Sequence, residues 1–271
     1  MRIELLDHGY IDLVDSWGSE EQIIAAARMS TNKGFQGWGP FGTCEQCGCR
    51  WRDNQDGTMS LADAEQRSCE SCELAQWSQL KQTPGDEKLL AYLWKHKHAT
   101  PFEMCGLTVE VQAPIFVFRE WHRHRTQSFN ELSARYTPLP DVNYVPTVER
   151  LMINAGGSNK QAGTISGAAI LDEVAAVAFR RKLQARYAEL QRDYEMALGD
   201  GVPKELARVL LPVGRYSRMR ASANLRNWLH FLSLRMAPNA QWEIRRYANA
   251  LGDIIGSLYP RTWALFMEKV A

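Results

Sequence analysis

No stretch of the 271 residues is long and apolar enough to span a bilayer, so a membrane-embedded protein is not expected. The first fifteen, MRIELLDHGYIDLVD, carry acids throughout and no apolar core, which argues against a secretory signal peptide. A cytoplasmic protein is therefore expected. Net charge is also nearly absent: 32 Lys and Arg against 31 Asp and Glu leave +1. That balance gives no overall attraction to nucleic acid or membrane, so any anion site must come from local clustering. No GxxxxGK[ST] P-loop and no Gly-x-Ser-x-Gly elbow occurs, and a dinucleotide-binding fold is not indicated. Internal repeats and heptads long enough for a coiled coil are missing too.

What is present is ordinary for a globular chain, with 45% hydrophobic and 23% charged residues. The length suffices for one large domain or two smaller ones with ample core. Rough alternation over 2–14 predicts a strand or hairpin, and Gly18-Ser19-Glu20-Glu21 reads as a helix start. Residues 34–60, rich in Gly, Cys, Trp and polar side chains, read as poor helix or strand material. A helix is expected from Asp86 to His96, and a strand from Leu107 through Phe118 with an edge or bend at Pro114. The stretch 123–133 that follows is expected to enter a helix and then a loop. LPDVNYVP reads as irregular, and the Gly/Asn/Ser-rich segment 153–167 as a mobile loop. From about 168 the spacing of apolar residues by 3 and 4 predicts long helices, broken at Gly201-Val202-Pro203. Further helices are expected in PKELARVLLP, NLRNWLHFLSLR and QWEIRRYANALGDIIGSLY.

Six cysteines in a reducing compartment point to metal ligands or free thiols rather than disulfides. Cys44-x2-Cys47 and Cys69-x2-Cys72 lie twenty-one residues apart. A CxxC turn aims two thiolates at one point, and two such turns complete a tetrahedral zinc shell. Cys44, Cys47, Cys69 and Cys72 are thus the expected ligands of a structural zinc, with Cys49 able to substitute for Cys47. Residues 44–73 hold three Arg against seven Asp and Glu, an acidic balance that disfavours binding a phosphate backbone. The segment 38–86 reads as a zinc-ribbon-like insertion that staples the fold or contacts protein. Cys105 is isolated and reads as a core residue.

Charge density has two other centres. RHRTQSFNELS packs Arg123, His124, Arg125, Gln127, Asn130 and Glu131 into eleven residues directly after an apolar run. Residues 202–246 carry nine Lys and Arg against only Glu205 and Glu243. Guanidinium groups in apolar surroundings need partners. Either acids elsewhere in the chain supply them or phosphate and carboxylate ligands do, and the scarcity of nearby acids favours ligands. His96 and His98, two residues apart, would not share a helix face, so a metal pair there is not expected.

Arg123-His124-Arg125, seven residues and then Ser133 resembles the RHR-x7-S pattern of flavin-dependent thymidylate synthases. The resemblance extends over NELSARY, KHKHATPFE, APIFVFREW, VPKELARVLLP, NLRNWLHFLSLR and AQWEIRRYA, in the same order. It covers nearly the whole chain apart from the Cys-rich insert and the loop near 153–167. It implies an α+β fold, a mixed α/β catalytic domain over 1–271 with an antiparallel sheet and long helices, assembled as a homotetramer with active sites at subunit interfaces. It implies synthesis of dTMP from dUMP, with methylenetetrahydrofolate as one-carbon donor, FAD as hydride carrier and NADPH as hydride source. No nucleophilic Cys and no separate NADPH-binding domain are then required.

Carried over position by position, the resemblance implies that Glu120, Arg123, Glu131, Ser133, Arg135, Arg208 and Arg235 bind the nucleotide. In that set Arg135 and Arg208 meet the phosphate and Arg235 polarises the pyrimidine. Ser30, His98, Thr100, Glu103, Arg123, His124, Arg125, Asn130, Asn224, Arg226, His230 and Asn239 would contact FAD, and Ser133, Arg235 and His98 would serve the chemistry. Two positions depart from the family's pattern. Glu120 stands where many members have Gln, and Asn239 where members usually have His. A carboxylate at 120 repels phosphate but accepts a hydrogen bond from an amino group, so a dCMP-directed or hydroxymethyl-forming enzyme is an alternative. A non-catalytic zinc-containing nucleotide-binding protein is another.

Overall fold

The computed structural model describes residues 1–54, 58–63, 65–153 and 171–270. Its strands are β1 (Arg2–Leu5), β2 (Gly9–Trp17), β3 (Phe41–Thr43), β4 (Arg50–Asp53), β5 (Met59–Leu61), β6 (Lys81–Thr83), β7 (Gly106–Pro114), β8 (Ser128–Glu131) and β9 (Tyr216–Asn224). The helices are α1 (Glu20–Arg28), α2 (Glu70–Glu73), α3 (Glu87–Lys95), α4 (Ile115–Trp121), α5 (Val148–Met152), α6 (Glu173–Gly199), α7 (Lys204–Ala207), α8 (Leu225–Arg235), α9 (Trp242–Leu258) and α10 (Pro260–Val270). The contacts divide the chain into two compact units, one of Met1–Trp17 with Gly106–Ser257, the other of Gly18–Cys105 with Leu258–Ala271.

The first unit is built on an antiparallel sheet in the order β1-β2-β7-β9-β8. β7 sits at its centre with an unbroken nine-residue register against β9, from Gly106↔Asn224 to Pro114↔Tyr216. Alternate residues Leu107, Val109, Val111 and Ala113 are fully buried, as period-two alternation on a sheet with one face packed requires. Against the sheet lies an aromatic cluster in which Trp121 meets Trp228, Phe231 and Tyr247 at centroid distances of 6.4, 4.6 and 6.4 Å. The indole of Trp228 donates to the Leu107 carbonyl and the Tyr247 hydroxyl to that of Gln112, which satisfies their polar ends inside the core. Gly9 makes room for this: a Cβ there would lie 2.0 Å from the Tyr247 hydroxyl.

Two expectations about this unit are corrected. The strand from Leu107 ends at Pro114, and Ile115–Phe118 continue as the first turns of α4. Proline lacks the N–H a ladder needs, yet its fixed φ suits the residue preceding a helix. The Arg-rich stretch that follows does not enter a helix. Residues 122–127 form turns, and Ser128–Glu131 become the edge strand β8, paired with β9 from Ser128↔Ser222 to Glu131↔Met219. β9 itself has no counterpart among the expected elements. α6 matches the expected long helix from Glu173, capped by Asp172 accepting from the Ala175 amide. Apart from Ile153, the segment 153–167 lies outside the described residues.

The second unit holds α1, α3 and α10 and a smaller antiparallel sheet in the order β5-β4-β3-β6. Strands therefore do form within 34–60, correcting that expectation. They are three or four residues each and are held by their surroundings rather than by propensity. The bare spacing Gly37-x-Gly39-x2-Gly42 matches the glycine pattern of dinucleotide loops. However, Gly42 pairs with Trp51 and Gln82 inside β3 and opens no helix, so it offers no phosphate-binding amides of that kind. The helix expected from Asp86 to His96 is α3, with those two residues as its caps. Asp86 is buried, accepts from the Gln36 and Gly37 amides and pairs with Arg28.

Candidate active site

A cavity of about 510 Å³ opens in the first unit. Apolar walls come from residues such as Phe118, Leu132, Leu139 and Pro212; the polar lining is Arg119, His122, Glu131, Ser133, Arg208 and Ser217. Glu131, Ser133 and Arg208 were expected at a nucleotide from sequence and are here brought together. Arg119, His122 and Ser217 were not read from sequence. Arg135 lies outside the lining; it is exposed and faces Glu205 at 3.4 Å. Arg119, Arg123, Arg125 and Arg208 have no carboxylate partner among the described residues, which leaves their cations available to an anion.

The basic run 202–246 divides between the two fates open to it. Arg215 is completely buried and spends its guanidinium on Asp141, the Pro140 carbonyl and Gln191. Arg220 faces Glu110 at 3.5 Å. Glu243, one of the two local acids, is taken by Arg150 and Tyr144. Among the described residues, the guanidinium of Arg208 bonds only to the Glu205 carbonyl.

Arg235, near the end of α8, is held by three acceptors. Its Nε donates to His124 Nε2 at 2.9 Å, one terminal nitrogen to Glu120 Oε2 at 2.7 Å and the other to the Glu120 carbonyl at 2.8 Å. A guanidinium has five N–H groups, so two remain for a ligand. Glu120, the family departure, therefore neutralises Arg235 and fixes its plane. His124 must be neutral, with its proton on Nδ1, to accept from Arg235. Burial, followed by the charge of Arg235 and then His230, pushes its pKa down from 6.5 to about 4.

This shift has a consequence for stability. A histidine whose folded pKa is depressed takes up its proton more readily when unfolded, so the folded form is favoured above about 6.5 and loses that advantage as pH falls to about 4. Melting of the free protein is expected to move down across that window. His124→Gln, which can accept from Arg235 without titrating, should flatten that part of the profile; a profile as steep as the wild type's would contradict the assignment.

Other expected flavin residues in this unit are Asn130 on the edge strand β8, Asn224 as the cap of α8, Arg226 and His230 on α8, and Asn239 beyond it. Asn224 accepts from the Asn227 amide. In the second unit, His98 and Thr100 line a separate cavity of about 380 Å³ with Ala26, Leu93 and Met104. Ser30 follows α1 in one single-turn helix, and Glu103 ends another at 100–103.

Cys105 is completely buried, and burial together with Glu20 pushes its thiol up to about 12; it is no thiolate nucleophile. The other five cysteines converge. Cys44 and Cys69 Sγ are 3.8 Å apart, Cys47 and Cys72 3.8 Å, and Cys69 and Cys72 3.7 Å. A tetrahedral zinc with Zn–S near 2.3 Å sets its sulfurs about 3.8 Å apart, so these separations fit the ion. Gly48 at φ +74° and its amide bond to the Cys44 carbonyl shape the first turn. The second is closed by the Cys72 amide on the Cys69 carbonyl. Cys49 adds a fifth thiol, 3.1 Å from Cys47 and 3.3 Å from Cys72. With Cys44, Cys47 and Cys72 it forms a group whose sulfurs all lie within 4.8 Å of one another, so Cys49 stands beside Cys47 and takes the place expected of Cys69 rather than that of Cys47.

The family model described as "Thymidylate synthase complementing protein" matches residues 12–261. A flavin-dependent thymidylate synthase of Thermus thermophilus is 35% identical over 270 residues, covering 100% of this chain and 80% of that protein. This chain is a member of the flavin-dependent thymidylate synthase family. The family enzyme of Thermotoga neapolitana is 31% identical, with 99% of this chain and 95% of that one covered. Among solved structures, the UMP/dUMP methylase PolB from Streptomyces cacaoi, bound with 5-Br UMP, matches with a TM-score of 0.69 at 28% identity over 97% of this chain and 96% of that one. The same methylase bound with 5-Br dUMP gives 0.68 at 29%, covering 98% and 97%. Mixed α/β architecture with antiparallel sheets is common ground, and an enzyme is what the family contains. Among the described residues, no helix is long and apolar enough to cross a membrane.

Proposed function

We propose that this enzyme makes dTMP from dUMP, taking the one-carbon unit from methylenetetrahydrofolate and reducing power from NADPH. The observation that carries this reading is the cavity in the first unit that joins Glu131, Ser133 and Arg208, whose cation has no carboxylate partner among the described residues. Family membership and the nucleotide-bound methylase structures support it. Ser133 and Arg208 hold the nucleotide phosphate, with Arg135 as a further cation for it. Arg235 directs its two remaining N–H groups at the pyrimidine and polarises it, while Glu120 and His124 keep the guanidinium plane fixed.

The donor set fits FAD: Arg123 and Arg125 are exposed cations without carboxylate partners among the described residues, suited to a pyrophosphate. The first unit offers them with His124, Asn130, Asn224, Arg226, His230 and Asn239; the second offers Ser30, His98, Thr100 and Glu103. Bound FAD supplies the hydride. In this reading the chain works as a homotetramer, and exposed apolar side chains such as Tyr136, Val209 and Val213 are candidates for burial in it. Residues 38–86 form an insertion within a single catalytic domain, stapled by zinc on Cys44, Cys47, Cys69 and Cys72, with Cys49 beside them.

One observation favours a second reading. Among the described residues Oε2 of Glu120 meets Arg235 and its other carboxylate oxygen has no partner, a placement that suits the amino group of a cytosine nucleotide. Incubating the flavin-loaded enzyme with dUMP, methylenetetrahydrofolate and NADPH tests the first reading: dTMP is expected, and its absence would refute it.

A further inference from the structure

Two serines on β9 have different fates. Ser222 bonds to Thr108 across the sheet at 2.9 Å. Ser217 is 2% exposed, and its hydroxyl has no partner among the described residues. Ser217 nonetheless lines the cavity that holds Ser133 and Arg208. A buried hydroxyl without a partner is unfavourable, so its natural partner is a ligand in that cavity. Arg119 lines the same space from α4, carries no carboxylate partner among the described residues, and is one residue from Phe118 in the apolar wall. His122 stands beside it, its ring set between Phe118 at 6.1 Å and Phe129 at 4.9 Å. Two unpaired guanidinium groups, two hydroxyls and a histidine against the single carboxylate of Glu131 make this lining electropositive and rich in donors. Such a set recognises an anionic oxygen, while the apolar walls suit a flat, uncharged body.

Building on the nucleotide reading above, we propose that Ser217 and Arg119 bind the phosphate of the pyrimidine nucleotide together with Ser133 and Arg208. Ser217 donates its hydroxyl hydrogen to a phosphate oxygen, and Arg119 pairs with the phosphate charge at the mouth of the cavity.

The test measures affinity of flavin-loaded enzyme for dUMP and for deoxyuridine, which lacks the phosphate. Ser217→Ala and Arg119→Gln are each expected to weaken dUMP binding about tenfold, the effect of one hydrogen bond to a charged group, while deoxyuridine binds as in the wild type. Without ligand, Ser217→Ala should melt no lower than the wild type, because it removes only an unpaired hydroxyl. Equal dUMP affinity in wild type and both variants overturns the assignment. So does a lower melting temperature in Ser217→Ala with dUMP and deoxyuridine weakened alike, which marks a packing role. If the wild type itself takes up no dUMP, the nucleotide reading falls with it; that result is distinguishable because no variant is needed to see it.

Discussion

Arg235→Ala is expected to lower dTMP formation about a hundred- to a thousandfold while barely moving the melting temperature. The two effects separate because they arise from different parts of the same contact. The Glu120 side chain is 43% exposed and Arg235 16%, so water screens the pair and its loss costs about 1 kcal/mol of stability or less. The catalytic loss is larger because a positioned cation facing developing charge on the pyrimidine is worth several kilocalories, on the order of 10²–10³ in rate. Arg235→Lys sharpens the argument. It keeps the charge, but a compact ammonium on a flexible stem cannot meet His124, the Glu120 carboxylate and the Glu120 carbonyl while presenting donors to a ligand. An intermediate activity is expected. Steady-state turnover alongside thermal melts checks both, and full activity in Arg235→Ala would reduce the residue to a structural tie.

Loss of the zinc proposed for the five-thiol cluster is expected to have the largest effect on structure. Cys72 is 1% exposed and lies within 3.8 Å of Cys47, Cys49 and Cys69. Around it the buried cluster is small, Cys44, Cys49, Cys72 and Leu80, with Trp51, Met59, Leu61 and Trp77 packed partly against them. A core of that size does not support a four-stranded sheet unaided. A structural zinc supplies on the order of 10 kcal/mol in comparable small domains, which is as large as the whole stability of a typical fold. Chelation, or Cys72→Ser, should therefore release about one zinc per chain and open residues 38–86 to protease. The metal assay and the digestion must change together. A chain that carries no metal and yet resists protease in this segment would contradict the assignment.

The elements that could be read from sequence were those whose side chains announce their period. The hairpin of β1 and β2, α3 with its caps and the long α6 follow from apolar spacing and capping residues alone. β9 escaped because its inward-facing positions are Ser217, Met219, Ala221 and Ala223, mostly too small or polar to register as apolar alternation. β8 escaped because its four residues carry little apolar surface and are fixed by pairing with β9, some ninety residues later. The same limit applied to the site. Arg123–Ser133 stood out by charge density, and Ser133, Glu131 and Arg208 do share one cavity. The partner of Arg235 could not be found that way, since Glu120 lies 115 residues earlier and meets it only through the packing of α4 and α8. Ser217 gave no signal until its burial was known.

Family membership and the methylase structures support methylation of dUMP, with NADPH and methylenetetrahydrofolate as the proposed co-substrates. The most direct test is mass spectrometry of the products formed from an equal mixture of dUMP and dCMP by the flavin-loaded enzyme with both co-substrates. A gain of about 14 Da on dUMP alone, one CH2 group delivered with hydride from the flavin, is the expected result. It would show that Glu120 and Asn239 are compatible with the family's chemistry. A gain on dCMP alone, or a hydroxymethyl product, would contradict the account and place Glu120 at the exocyclic amino group of a different substrate.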